Sequence, residues 1–134
     1  MKKKADIVCG WLRKAASDIV VLEAAIGAGA FDGACFHAQQ AAEKYLKSFL
    51  AFHDRPFPHT RNLGDLTELC GGIDVLFRSL TPIASELTPF AVRLRYDDTF
   101  WPTLETAIQA RASALTIRHF VLNHLPKDIV DAEK

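Results

Sequence analysis

Gln39, Glu43, Arg111 and Arg118 stand where helical periodicity calls for apolar side chains, and Arg95 and Tyr96 follow in a charged, aromatic loop. These residues could do chemistry. A buried amide or carboxylate without a hydrogen-bonding partner costs a few kcal/mol, so each needs polar company. Two arrangements meet that need. Glu43 can pair with Arg111 or Arg118 in an internal ion pair that fixes helix register, the other arginine snorkelling out. Alternatively, the same groups line a polar pocket in which arginine forks hold a phosphate or nucleotide.

Other chemistries lack their residues. His37, His53, His59, His119 and His124 include no pair spaced for one helical face beside a carboxylate, so no metal site is expected. Cys9, Cys35 and Cys70 are odd in number and far apart, which suits small core residues in a reducing compartment. Glycine-rich phosphate loops, Gly-x-Ser-x-Gly elbows and Cys-His dyads are missing, and no cofactor is expected.

The elements that position these residues read as helices. In the stretch FHAQQAAEKYLKSFL, residues 36–50, a winding of about 100° per residue puts Ala38, Ala42, Tyr45, Leu46 and Phe49 on one face with Gln39 inside it. Glu43 lies at the edge of that face, while Lys44 and Lys47 point the other way. Before it, a helix from about Ala5 to Ala28 ends at Gly27 and Gly29, and Asp32 is expected to cap the second helix. So short a connection makes an antiparallel hairpin. The prolines of 53–60 break the chain, and a short helix follows from Leu63 to Leu69. Leu76, Leu80, Ile83, Leu87 and Leu94 keep a helical period through Pro82 and Pro89, which predicts one long kinked helix over 74–94. Pro102 is expected in the first turn of a last helix that reaches His124.

This pattern predicts an all-α, antiparallel up-and-down bundle of four main helices plus one short helix, in a single domain over residues 1–134. Trp11, Leu22, Ala42, Leu46, Phe49, Leu80, Leu87, Leu115 and Val121 are its expected core. The aromatic crowd Phe90, Tyr96, Phe100 and Trp101 suggests a subunit contact, hence a homodimer.

The 134 residues are 49% hydrophobic and 24% charged, with 16 basic and 16 acidic side chains. That balance excludes nucleic-acid binding by overall charge and requires a local patch for any such contact. Charges interrupt the apolar residues near the start, so neither a signal peptide nor a membrane span is expected, and the expected location is cytoplasmic.

Four pieces of the chain resemble the HEPN domain family. They are Trp11 to Ala15 with Asp18, the core Gln39-Gln40-Ala41-Ala42-Glu43-Lys44, the turn Phe57 to Leu63, and Ala91 to Tyr96. The resemblance implies a dimeric helical bundle. It also implies pairing with a minimal nucleotidyltransferase in a two-component, toxin-antitoxin-like system, with nucleotide or partner binding through Gln39, Glu43, Lys44, Arg95, Tyr96 and Arg111. Ribonuclease members carry an arginine, four to six residues, then a histidine. Arg118 and His124 match that spacing, and the alternative they imply is an RNA-cleaving toxin that needs no metal. Six residues of regular helix turn the two side chains about 120° apart, which argues against it. A third reading is a structural adaptor whose buried charges only set register.

Overall fold

The computed structural model describes residues 3–60 and 62–133; Arg61, part of the expected turn motif, lies outside them. Helix α1 (Lys4–Ala28) turns directly into α2 (Phe31–Phe52). Gly29 makes the turn possible by taking φ 78°, the left-handed region that a side chain disfavours. The Ala30 N–H then donates back to the Ala25 carbonyl at 2.8 Å. Asp32 is not the cap expected of it. Ala30 occupies that position, and Asp32 sits in the first turn, where its charge faces the positive end of the helix dipole.

The hairpin is tight because Ala15, Ala38, Ala41 and Ala42 are fully buried and small. Val8, Leu12 and Leu22 of α1 meet Tyr45, Leu46, Phe49 and Leu50 of α2 in the core. Each large side chain buried there stabilises the fold by about 1.5–3 kcal/mol. Trp11 and Leu115, expected in the core, are only half-buried; Leu12 takes the inward place on α1.

The third long helix, α6 (Leu104–Asn123), packs mainly on α2. Thr103 caps it, its hydroxyl oxygen accepting from the Thr106 N–H at 3.2 Å, so the helix starts two residues later than Pro102. Ala107, Ala110, Ala114, Ile117 and Val121 recur at three and four and form its buried face.

The fourth column is built from pieces. Helix α3 (Leu63–Gly71) starts at Asn62, whose side-chain oxygen accepts from the Gly64 N–H at 2.9 Å. The kinked helix expected over 74–94 does not form. Its place is taken by a 3-10 segment (Val75–Leu80), helix α4 (Thr81–Leu87), a second 3-10 segment (Thr88–Ala91) and the four-residue helix α5 (Arg93–Tyr96). Pro82 and Pro89 stand in the first turns of α4 and the second 3-10 segment. Without an N–H and with a ring against the preceding carbonyl, each begins a new piece. Leu80, Ala84, Leu87 and Ala91 are nevertheless buried, so the apolar period is real although the backbone is discontinuous.

Phe77, on the first 3-10 segment, joins the column to the core, its ring centroid 4.1 Å from that of Phe49 and 4.9 Å from that of Phe120. A last helix beyond the expected bundle, α7 (Lys127–Glu133), lies on α1, with Ile129 buried and its carbonyl 3.8 Å from Cys9 Sγ. The described residues contain no strand, and the architecture is the expected all-α bundle, with three long helices and a composite fourth column.

Candidate functional site

Asp18 lies on the buried stripe of α1, between Ala15 and Leu22, and is 7% exposed. A carboxylate there requires partners, and α2 supplies two. His37 donates Nδ1–H to Oδ1 at 2.8 Å, and Lys44 donates to Oδ2 at 2.5 Å. Residues seven apart return to nearly the same helical face, which is why both reach one carboxylate. Lys44 does point away from Gln39, but into the α1–α2 seam rather than into water. Neither Asp18 nor His37 is among the candidates drawn from the sequence. The available signal was Asp18 falling in phase with Ala15 and Leu22.

Gln39 is fully buried. Its oxygen accepts from Gln40 Nε2 at 2.6 Å, whereas its own Nε2 has no partner among the described residues. Glu43 meets neither Arg111 nor Arg118. Its carboxylate is 3.6 Å from Lys47 on the next turn, and that ammonium also lies 5.5 and 5.6 Å from the rings of Trp11 and Phe57. Arg111 instead reaches Glu23 of α1, and Arg118 is exposed with no ion-pair partner among the described residues. The expected internal ion pair is therefore absent. Because α6 turns its alanines inward, its two arginines lie at the border of the buried face.

Arg118 and His124 do not converge. His124 closes α6, donating Nδ1–H to the Phe120 carbonyl at 2.7 Å, and its ring stacks on Phe120 at 4.3 Å. Its Nε2 faces the Asp74 carboxylate at 3.7 Å. Arg118 lines a separate cleft of about 510 Å³ between α6 and α7, with His119, Asn123, Lys127 and the acid Asp131 around it and Leu122, Leu125 and Val130 among its walls. Lys127, like Arg118, has no ion-pair partner among the described residues. The Asn123 amide donates to His119 Nε2 at 3.1 Å.

Tyr96 opens on yet another depression, with Asp32, Asp97 and Trp101, which none of Gln39, Glu43, Lys44 or Arg111 lines. The Arg95 side chain lies outside the described residues. The candidate residues are thus divided among α2 and its seam with α1, the α1–α6 edge, the α6–α7 cleft and α5 with the loop that follows it.

Cys35 and Cys70 hold no activated thiol. Burial pushes Cys35 up to about 11, with Asp32 adding to it, and Cys70 up to about 12. Both stay protonated near neutrality. Among the described residues no three His, Cys, Asp or Glu side chains gather as a metal site, and no helix is long and apolar enough to cross a membrane.

Comparison with known proteins agrees with this architecture. The family model described as the HEPN domain matches residues 8–125. The crystal structure of TT1696 from Thermus thermophilus superposes with a TM-score of 0.76 at 28% identity, covering 88% of this chain and 98% of the other. The crystal structure of ST0689, an archaeal HEPN homologue, superposes with a TM-score of 0.69 at 23% identity, covering 92% and 98%, a likeness of fold alone. Among curated proteins none matches the chain.

Proposed function

The chain belongs to the HEPN domain family, and from that premise we propose that it is a non-catalytic subunit: a homodimer that partners a minimal nucleotidyltransferase in a two-component system and holds a nucleotide phosphate between α6 and α7.

The observation that carries this reading is the engagement of His124. A histidine that moves a proton in RNA cleavage must present a ring nitrogen to the phosphate that an arginine holds. Here Nδ1–H is bound to the Phe120 carbonyl, the ring is packed on Phe120 and Phe77, and Nε2 faces Asp74. Arg118 stands in a different cleft. That cleft supports the nucleotide: Arg118 and Lys127 set two cations suited to phosphate against the one carboxylate of Asp131, and Leu122, Leu125 and Val130 offer an apolar wall to a base. Val20 of α1 and Leu104 and Ile108 of α6 support the dimer, being exposed apolar side chains near the Glu23–Arg111 bridge. Of the aromatic residues expected at that contact, Phe90 and Phe100 stack on each other instead. Family membership supports the nucleotidyltransferase as partner.

The test combines RNA cleavage by purified wild type and His124→Ala with co-expression and co-elution of the wild type and a minimal nucleotidyltransferase from the same genome. The expected result is no cleavage by either form and a stable complex. Cleavage by wild type that is lost in a folded His124→Ala would sink the proposal.

A further inference from the structure

The loop between α5 and α6 already holds one guanidinium. Arg93 lies with its Cζ 3.9 Å from the Phe100 ring centroid and its Nη2 3.7 Å from the Asp97 carboxylate. An aromatic face together with a carboxylate is a recipe for a planar cation: the ring quadrupole attracts the charge and the acid takes the N–H fork.

The same ingredients recur beside it, and among the described residues no cation pairs with Asp32 or Asp98 or stacks on Trp101. Asp32, Tyr96, Asp98, Phe100 and Trp101 line a depression of about 290 Å³, with Asp97 on its wall. Trp101 is 71% exposed and Tyr96 70%. Asp97 is committed, since one of its oxygens accepts from the Thr99 N–H and hydroxyl at 3.1 and 2.6 Å and the other faces Arg93. Asp32 and Asp98 have neither a hydrogen bond nor an ion pair among the described residues, and they come from different elements, the first turn of α2 and the loop. Three carboxylates would repel a phosphate. A metal ion lacks a ligand set among the described residues. An indole beside carboxylates favours an organic cation.

We propose that this depression is a docking pocket for an arginine side chain of a protein partner, stacked on Trp101 and paired with Asp98 and Asp32. The guanidinium is favoured over the lysine ammonium because it is flat, weakly hydrated and able to stack while it donates to two acids. The pocket is distinct from the α6–α7 cleft and does not depend on the partner's being a nucleotidyltransferase.

The probe is the capped tripeptide glycine-arginine-glycine, titrated to about 100 mM at constant ionic strength into the full chain while the two tryptophan indole N–H signals are followed by NMR. One exposed stacking contact with two exposed ion pairs gives a dissociation constant on the order of tens of millimolar. The Trp101 signal should move and that of Trp11 should stay. Trp101→Phe, read on backbone amides of 94–100, should retain weaker binding, and Asp98→Asn with Asp32→Asn should weaken it about threefold to tenfold. The isosteric citrulline peptide should have no effect, and the lysine peptide a smaller one. A stationary Trp101 signal, an equal response to citrulline, tighter binding of lysine, or indifference to the paired aspartate substitutions would each overturn the assignment.

Discussion

Lys44 of α2 donates to the Asp18 carboxylate of α1 at 2.5 Å, so the first two helices are joined by an ion pair within their own seam. Asp18 is the shared acceptor, with His37 as its second donor. Removing it strands both. Asp18→Ala should cost about 2–4 kcal/mol, while Lys44→Met, which leaves the carboxylate with His37, should cost less than half of that. Urea unfolding of the two variants measures the asymmetry; equal losses would refute the shared-acceptor account.

Glu43→Ala should be mild. Its partner is a lysine on its own helix, and that lysine keeps its contacts with Trp11 and Phe57 when the acid is gone. A loss of about 0.3–1 kcal/mol is expected by urea unfolding. A loss of several kcal/mol would mean that Glu43 neutralises a buried cation after all.

Gln39→Leu tests the opposite kind of site. The amide is fully buried, its Nε2 has no partner among the described residues, and replacing it with an apolar side chain of similar size removes that desolvation penalty together with one hydrogen bond from Gln40. The melting temperature should hold or rise, within about 1 kcal/mol of wild-type stability. A marked drop would show that the amide has a partner in solution.

His53 should make stability depend on pH. Desolvation first, then the charges of Lys4 and Arg55, hold its pKa below the ordinary histidine value, against a smaller opposing pull from Asp54. The unfolded chain therefore binds the proton more readily than the folded one. This effect is absent above pH 7 and erodes stability as pH falls through about 6.5 to the lower folded value. The loss of melting temperature between pH 7 and 5.5 should be smaller in His53→Asn than in wild type; identical slopes would remove His53 from the account.

The hairpin was legible because Gly27 and Gly29 mark a helix end and the apolar residues around them keep one period. The fourth column was not, since apolar spacing reports which side chains face the core and is silent on whether the backbone ladder continues. Pro82 and Pro89 carried that information, and each marks the start of a segment. Helix α7 had a signal of the same kind in Pro126, with Asp128 and the apolar pair Ile129 and Val130 after it. At the candidate site, helical phase located the polar residues but not their partners. Glu43 on Lys47 and Arg111 on Glu23 follow from how far each side chain reaches and from the rotation of α6, which depends on neighbours remote in the chain.

The composite column has a dynamic consequence. Helices α1 and α2 carry long uninterrupted ladders, whereas between Val75 and Tyr96 no piece exceeds seven residues and two are 3-10 in form. Amide hydrogens there have short ladders to break, so hydrogen exchange should find this segment opening as a unit of its own, at a free energy below that of global unfolding. A protein that grips Trp101 would then be recognised at a distance. Its binding would slow exchange along α5 and the second 3-10 segment, leaving the already slow amides of α1 and α2 unchanged.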